Sequence, residues 1–304
     1  MDDSLHSICS VVAPRDGHGL PISDPVVRYP ADTAYEWDVV AGAAGAARHP
    51  TSEEVRKLEA YLRERHPTAD VAVLPAATRR KGVLVCDMDS TLIGQECIDE
   101  LAEFAGVGDR VRATTERAMR GEIGFEDALR ERVASLAGLA ESVLEECYRT
   151  RITLNPGART LARTMAEAGA TTVVVSGGFT FFADRVAAAC GFAHVHANVL
   201  EIEDGVLTGR VVEPILGREA KLETLLRYSD NDPSRACVIG DGANDLAMIQ
   251  AAGMGIAYRA KPIVAEAARY RIDHTDLTTA LIWQGYGQSE FVDDDFDAAR
   301  KLWR

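Results

Sequence analysis

Three short apolar runs, each ending abruptly in small and polar residues, stand out in the pattern of the chain. They cover residues 83–86, 171–175 and 236–239. Continuous apolar runs of this length are typical of buried strands in a parallel sheet. Because ligands bind outside the carboxyl ends of strands in open doubly wound sheets, we expect the residues after the three runs to converge on one crevice. The pattern therefore predicts an α/β fold with a doubly wound parallel sheet.

The segment between the first two runs has a helical period instead. Its apolar residues recur at Phe125, Leu129, Val133 and Leu136. Charged residues fill the positions between them, which predicts amphipathic helices. We therefore expect residues 95–154 to form a helical cap, inserted into a catalytic core of residues 81–94 and 155–283. Such a cap could close over a small substrate and exclude water.

The two ends of the chain differ from this predicted core. Residues 1–80 carry several Pro and Gly. Strands are predicted at 7–13, 36–40 and 71–74, and a helix at 52–64. We expect a small α+β domain with a structural or homodimer-forming role, and the alternative is a reduced amino-acid-binding module. Residues 284–304 are expected to form a C-terminal extension, in which the acidic stretch 293–297 favours a solvated helix start.

Residues suited to metal and phosphate chemistry follow the apolar runs. Two carboxylates, Asp87 and Asp89, come directly after the first run. At positions i and i+2 off a strand they project the same way and repel each other unless a cation lies between them. The hard oxygen ligands favour Mg²⁺, which could also be held by Asp241 after the third run.

These residue types suit the hydrolysis of a phosphate monoester. Asp87 can attack phosphorus to give an aspartyl-phosphate. Asp89 can protonate the leaving oxygen and then activate the water that opens this intermediate. A metal bridging Asp87, Asp241 and the phosphate would screen the like charges and orient the group.

A second set of residues could hold the phosphate. Ser176 and the backbone N–H groups around Gly177 and Gly178 can form an anion nest. Lys221 could supply a point charge and keep Asp87 ionised, although a lysine on the surface of a helix is an equal alternative. Asp245 could orient Lys221 or a metal-bound water, or it could charge the first turn of a helix.

These motifs, in this order and at this spacing, resemble the haloacid dehalogenase superfamily of phosphatases. The matching motifs are Asp-x-Asp-x-Thr from Asp87, then Ser176, then Lys221, and Gly-Asp-Gly-x-x-Asp from Gly240. The resemblance is closer still to the phosphoserine phosphatase family. It rests on residues 87–93, 96–100, 115–121, 176–182 and 240–245. It covers about two-thirds of the chain, roughly residues 80 to 280.

The resemblance implies a role for each matching residue. Asp87 would be the nucleophile, Asp89 the general acid and base, and both would bind magnesium together with Asp241. In the cap, Glu96 would meet the substrate ammonium and Arg132 its carboxylate, with Met119 and Phe125 shaping the pocket. The phosphate would be held by Ser176, Gly177, Gly178, Lys221 and Asn244. From charge alone, Arg132 would instead be an exposed helix partner for Glu131 or Glu126.

The function that the resemblance implies is hydrolysis of O-phospho-L-serine to L-serine and phosphate, the last step of L-serine biosynthesis. One alternative is a phosphatase or phosphotransferase for another small phosphorylated amino acid. Another is a regulatory protein that binds amino acids without catalysis. If the protein were such a regulatory protein, we would expect the clustered charged residues to be lost, because like charges are costly to keep together.

The composition fits a soluble enzyme of this kind. The net charge of −14 and pI near 5.0 argue against nucleic acid or an anionic membrane as a partner. Six cysteines form no Cys-x-x-Cys pair and are expected to be reduced. No basic-then-apolar leader and no run of eighteen apolar residues is present. We therefore expect a cytoplasmic protein.

Overall fold

A mostly parallel sheet with helices on both faces forms the centre of this computed structural model. The structure describes residues 7–12, 34–39, 52–120 and 122–292. The strands are β1 (Ser7–Val12), β2 (Ala34–Val39), β3 (Asp70–Pro75), β4 (Val83–Cys86), β5 (Thr171–Phe179), β6 (His194–Glu203), β7 (Val206–Val212), β8 (Ala236–Gly240), β9 (Met254–Tyr258) and β10 (Tyr270–Ile272). The helices are α1 (Ser52–Arg65), α2 (Cys97–Phe104), α3 (Gly108–Met119), α4 (Phe125–Ala134), α5 (Ser142–Arg151), α6 (Ala158–Glu167), α7 (Thr180–Cys190), α8 (Arg218–Tyr228), α9 (Leu246–Ala251), α10 (Pro262–Ala267) and α11 (Thr279–Trp283).

The central sheet has the strand order β10-β9-β8-β4-β5-β6-β7 within the described residues. All neighbouring pairs are parallel except β6 and β7, which run antiparallel. Only Asp204 and Gly205 connect these two strands, and both have a positive φ, +50° and +76°. Such a two-residue turn joins antiparallel neighbours, whereas a parallel pair needs a long crossover. The edge hairpin is therefore a local addition to an otherwise parallel sheet.

The residues of β4 alternate between the two faces of the sheet, as a strand buried on both sides requires. Val83 and Val85 pack in one apolar cluster together with residues of α8, α9 and α10. Leu84 and Cys86 pack in a larger cluster on the opposite face, with α6, α7 and α11. This two-sided burial confirms the doubly wound α/β fold expected from the sequence.

The helices α2 to α5 lie between β4 and β5 in the chain and form a helical insertion, called the cap below, while the bounds predicted for a cap domain, 95–154, stay a prediction. The two connections between this insertion and the sheet run side by side. Ile93 and Leu154 form an antiparallel bridge, and the backbone N–H of Asn155 donates to Leu92 O at 2.8 Å. The Asn155 side chain also donates to Thr91 O at 2.8 Å and to Ile93 O at 3.1 Å. The insertion is thus fixed to the core directly beside the first motif.

The strands β1, β2 and β3 form a separate antiparallel sheet in the order β2-β1-β3. One side of β3 packs against α1 through Val71 and Val73, but Ala72 and Leu74 belong to the main apolar cluster of the central sheet. The buried Asp70 carboxylate adds a link, since it accepts from the backbone N–H of Asp273 at 2.8 Å. The small N-terminal sheet therefore shares its core with the rest of the molecule, and the division at residue 80 stays a prediction.

The chain after α11 also packs on the central fold. Arg80 lies over the ring of Tyr286 at 4.0 Å and pairs with Glu290 at 3.0 Å. The backbone N–H of Val292 donates to Thr164 Oγ1 at 2.9 Å. The acidic stretch 293–297 lies outside the described residues. None of the described helices is both long and apolar enough to span a bilayer.

Candidate active site

The polar residues that follow the strands meet at one edge of the central sheet. Asp87 follows β4 and Asp241 follows β8, and these strands are paired neighbours. Ser176 lies in β5, the other neighbour of β4, because β5 continues through an irregular register to Phe179 instead of ending at the small residues. The three side chains line a cavity of about 540 Å³. Further lining residues from the sequence prediction are Asp89, Glu96, Phe125, Arg132, Gly177, Gly178 and Asn244.

Lys221 lies behind this cavity between two carboxylates. Its Nζ is 2.7 Å from Asp87 Oδ2 and 2.6 Å from Asp245 Oδ1. The Lys221 side chain is only 1% exposed, so the alternative of a surface lysine is wrong. Asp245 precedes α9, but its side chain does not cap that helix. Its second oxygen accepts from the backbone N–H of Gly242 at 3.0 Å, which leaves Asp245 oriented for the lysine.

The close packing of Asp245 explains one glycine of the third motif. A Cβ on Gly240 would lie 2.5 Å from Asp245 Cγ, a distance that real side chains do not tolerate. The last residue of β8 must therefore be a glycine if Asp245 is to reach Lys221.

Burial and neighbouring charges shift the pKa values of Asp87 and Lys221. Burial raises the pKa of the Asp87 carboxyl, and the Asp245 carboxylate adds to this, while Lys221 opposes both. Burial alone would lower the pKa of Lys221, but Asp87 and Asp245 together raise it above its ordinary value. The lysine therefore keeps its proton and provides the positive charge that favours an ionised Asp87.

The carboxylates fit a divalent metal. Oxygen atoms of Asp87, Asp241 and Asp245 lie within 4.8 Å of one another, and all three residues are buried. Burial, followed by the charges of Asp245 and Glu96, raises the pKa of Asp241 to about 6. Clustered carboxylates of this kind are the donors that Mg²⁺ and similar hard cations prefer. Asp87 and Asp241 line the cavity, whereas Asp245 is not among its lining residues, so Asp87 and Asp241 have the carboxylates best placed for the ion.

Asp89 has a different environment from Asp87. Its carboxylate is not part of the three-carboxylate cluster and accepts from the backbone N–H of Cys97 at 3.2 Å. Burial, followed by the charge of Glu96, raises the pKa of Asp89 to about 7. A carboxyl group with such a pKa can both give and take a proton near neutral pH. The prediction that Asp89 also binds the metal stays a prediction.

The loop of small residues in β5 approaches the carboxylates closely. A Cβ on Gly178 would lie 2.6 Å from Asp89 Oδ2 and 3.1 Å from Ser176 Oγ, so any larger residue there would displace the Asp89 carboxylate. The backbone N–H of Gly178 donates to Ser176 Oγ at 2.9 Å. This arrangement places a hydroxyl and backbone N–H groups beside Asp87 and Asp89, as an anion site requires.

Asn198, which the sequence analysis missed, fixes this loop from behind. The buried amide donates to Gly177 O at 2.9 Å and accepts from the backbone N–H of Leu216 at 2.7 Å. In a trans peptide the C=O and the following N–H point in opposite directions. By holding Gly177 O, Asn198 turns the N–H of Gly178 towards Ser176. No local motif marks Asn198, because its partners are distant in the sequence.

The cap supplies the opposite wall of the cavity. Glu96 lies at the start of α2 and accepts from Ser90 Oγ at 2.8 Å. Ser90 has a positive φ of +55°. The sequence analysis did not predict its hydrogen bond to Glu96. The ring of Phe125 lies over Gly177, where a Cβ would be 3.2 Å from Phe125 Cζ. The side chain of Met119, predicted to shape the pocket, lies outside the described part of the structure.

Arg132 points towards the cavity and not towards the helix partners considered above. Its Nε donates to Ala128 O at 3.2 Å, whereas Glu131 pairs with Arg117 at 2.8 Å and Glu126 with Arg130 at 3.0 Å. Burial lowers the pKa of Arg132, opposed by nearby carboxylates including Glu96, but a guanidinium remains charged at neutral pH. The cavity therefore has an anion and a fork-shaped cation at its cap side.

Comparisons with known proteins agree with this geometry. The family described as haloacid dehalogenase-like hydrolase matches residues 84–250, more than half of the chain. The chain belongs to this family of hydrolases. A phosphoserine phosphatase from Archaeoglobus fulgidus is 47% identical over 213 residues, which make up 68% of this chain and 62% of that protein. The chain thus spans somewhat less than two thirds of that relative.

Two solved structures extend the comparison to the fold. A haloacid dehalogenase family hydrolase from Salmonella enterica serovar Typhi has a TM-score of 0.79 at 29% identity, covering 92% of this chain and 99% of that one. A phosphoserine phosphatase described as an analogue of its phospho-aspartyl intermediate has a TM-score of 0.61 at 37% identity, covering 67% of this chain and 99% of that one. The first of these alignments includes most of the chain outside the matched family region.

Proposed function

We propose that the protein is a phosphoserine phosphatase, which hydrolyses O-phospho-L-serine to L-serine and phosphate as the last step of L-serine biosynthesis. One observation carries the proposal. A single cavity joins the carboxylates Asp87 and Asp89, suited to phosphoryl transfer, to the pair Glu96 and Arg132, suited to an ammonium and a carboxylate. The similarity to phosphoserine phosphatases supports the same substrate.

The reaction proceeds in two displacements at phosphorus. A carboxylate oxygen of Asp87 attacks phosphorus, the bond to the serine oxygen breaks, and Asp89 gives its proton to that leaving oxygen. Asp89 then takes a proton from water, whose oxygen attacks phosphorus while the bond to Asp87 breaks. Asp87 is restored and phosphate leaves. The pKa of about 7 for Asp89 suits both of its proton transfers.

The phosphate end of the cavity depends on ionic groups that are already oriented. Lys221 favours an ionised Asp87, and the hydroxyl of Ser176 and the N–H of Gly177 donate to the phosphate oxygens. The N–H of Gly178 donates to Ser176 Oγ and so orients that hydroxyl at the same end of the cavity. We assign Asn244 to the same group. A Mg²⁺ ion held by Asp87 and Asp241 would neutralise the charge that gathers on the phosphate.

The amino-acid end distinguishes phosphoserine from other phosphate esters. Glu96, held by Ser90, meets the ammonium group, and the planar guanidinium of Arg132 meets the carboxylate in a two-point contact. Phe125 closes the side of the cavity between the two ends. A homodimer and a cytoplasmic location stay predictions, and the proposed chemistry needs neither.

The test is phosphate release from O-phospho-L-serine with and without Mg²⁺, run beside phosphothreonine and p-nitrophenyl phosphate. Loss of all activity in Asp87→Asn is expected.

Arg132→Ala should reduce kcat/KM for phosphoserine about ten- to hundredfold, which is the effect of a lost charged hydrogen bond. The same variant should leave kcat/KM for p-nitrophenyl phosphate nearly unchanged. Arg149→Ala, an exposed arginine of α5, is the matched control. Equal losses on both substrates would contradict the role of Arg132, and activity on p-nitrophenyl phosphate alone would contradict the proposed substrate.

A further inference from the structure

Lys261 is an exposed lysine at the metal end of the cavity, and neither its position nor its charge is used by the proposed mechanism. It lines the cavity from the connection between β9 and α10. Its backbone N–H donates to Asp241 O at 3.2 Å, and its C=O accepts from Val264 N at 2.9 Å. Pro262 follows as the first residue of α10 and stiffens the connection. The backbone of Lys261 is therefore fixed beside Asp241, and the residue is exposed to solvent.

The charges around the cavity show what this lysine can add. Carboxylates of Asp87, Asp89, Glu96 and Asp241 line the cavity, whereas its cationic lining residues are Arg132 and Lys261. Lys221 is enclosed by its two carboxylate partners and adds little positive potential outside them. Among the protein groups that line the cavity, carboxylates thus outnumber cations, on a protein whose net charge is −14, so a further positive charge at its edge assists the approach of a phosphate ester.

Among these cations, Lys261 is the one whose charge is available at the phosphate end. Arg132 belongs to the cap side and has Glu96 and Asp99 as electrostatic neighbours. Within the described residues, the Lys261 ammonium forms no hydrogen bond or ion pair. It is nevertheless close enough to Asp241 to lower the pKa of that carboxyl. Its positive charge therefore lies next to the position where the phosphate must arrive.

We propose that Lys261 recruits the phosphate group of the incoming substrate to the Asp241 side of the cavity. This inference rests on the proposed function, because it concerns the approach of a phosphorylated amino acid to the same site. An exposed ammonium on a flexible stem attracts a dianion over several ångströms and is screened by salt. Lys261 therefore acts mainly on kcat/KM, whereas the bond-breaking steps at Asp87 depend on the buried groups.

The experiment compares Lys261→Gln with Lys261→Arg in the full-length, magnesium-loaded enzyme. At low ionic strength we expect kcat/KM for phosphoserine to fall about five- to tenfold in Lys261→Gln, with kcat changed less than about twofold. The loss should shrink to about twofold or less near 0.3 M salt, because the Debye length becomes shorter than the approach distance. Lys261→Arg should restore the wild-type value. Lys57→Gln makes the same change in net charge on α1, away from the cavity, and should have no effect.

Product inhibition separates the two ends of the cavity. Inorganic phosphate should inhibit Lys261→Gln more weakly than the wild type, whereas inhibition by L-serine, which has no phosphate, should be unchanged. Equal kcat/KM values for Lys261→Gln and the wild type at low salt would overturn the proposal. So would a loss of kcat that does not depend on salt, or an equal loss in Lys57→Gln.

Failure of the proposed function would be visible separately. If the wild type releases no phosphate from phosphoserine with any divalent metal, the proposed function is wrong. Calorimetric binding of inorganic phosphate to the wild type and to Lys261→Gln then still decides the inference. Tighter binding to the wild type, lost as salt is added, would support it, and equal binding would refute it.

Discussion

The buried group of Asp87, Lys221 and Asp245 allows a quantitative prediction about stability. Lys221 donates to both carboxylates at 2.6–2.7 Å and is only 1% exposed. In Lys221→Met the two carboxylates would face each other without a cation. In Asp245→Ala the lysine would lose one partner, and the N–H of Gly242 would lose its acceptor. Each single change therefore leaves a buried charge or donor uncompensated.

The expected magnitudes follow from this burial. Removing one partner of a buried ion pair typically costs about 3–5 kcal/mol of the free energy of unfolding. That is a large share of the roughly 5–15 kcal/mol by which folded proteins are stable. The double variant Lys221→Met with Asp245→Ala removes both members, so its cost should be smaller than the sum of the single costs by at least about 2 kcal/mol. The hydrogen bond from Gly242 N–H is lost both in Asp245→Ala and in the double variant, so its free energy cancels from the coupling energy.

The assay is urea unfolding of the wild type, both single variants and the double variant, in the presence of EDTA to remove metal ions. The exposed pair Arg235 and Asp230, 3.2 Å apart with side chains 52% and 82% exposed, is the control cycle. Its coupling should be below about 0.5 kcal/mol. A coupling of 0.5 kcal/mol or less for Lys221 and Asp245 would refute the reasoning, because the buried pair would then behave like a surface pair.

Further predictions concern pH, hydrogen bonding and close packing in the same site. The pKa values of Asp89, about 7, and Asp241, about 6, exceed the ordinary value of 3.8, so the folded protein holds protons that the unfolded chain releases. The metal-free protein should therefore lose stability as the pH rises from about 4 to about 7, and Asp89→Asn should weaken this dependence, as measured by urea unfolding in EDTA. Asn198→Ala should lower stability by about 1–3 kcal/mol, by leaving buried backbone groups without partners, and should weaken inhibition by inorganic phosphate; an unchanged phosphate inhibition constant would contradict its role behind Gly177. Gly178→Ala should abolish most of kcat, because its Cβ would collide with Asp89, whereas Gly82→Ala, with nothing within 4 Å of its added Cβ, should leave activity intact.

The sequence could predict the edge of the sheet at which the site lies because that information is local. The apolar run of β4 and the carboxylate of Asp87 directly after it are adjacent in the chain, and the same holds for β8 and Asp241. Parallel strands bring such positions together whatever the rest of the fold does. The antiparallel strand β7 departs from this pattern, and its cause is also local, in the two-residue turn with positive φ at Asp204 and Gly205.

Contacts between distant segments were harder to predict. The charge pattern alone predicts that Arg132 pairs with Glu131 or Glu126 on its own helix. In the structure Glu131 pairs with Arg117, and Glu126 pairs with Arg130. Which of several nearby charges forms a pair depends on how α3 and α4 pack, and spacing along one helix does not specify that. For the same reason the sequence does not distinguish Lys221 from a surface lysine, because its burial depends on how α8 packs against the sheet.

Lys261 also follows the end of a parallel strand and lines the cavity, although it belongs to no carboxylate motif. Its strand, β9, ends in a short connection at the same edge as β4 and β8, and Lys261 lies in that connection three residues after Tyr258. The sequence motifs mark strand ends that bear carboxylates, because those residues supply the chemistry. A site that attracts a dianion towards a group of carboxylates gains from positive charge near its entrance, and a neighbouring strand end can supply that charge. Residues that follow the ends of neighbouring parallel strands therefore assemble at one site whether they supply the chemistry, as Asp87 and Asp241 do, or take no part in the bond-breaking steps, as Lys261 does.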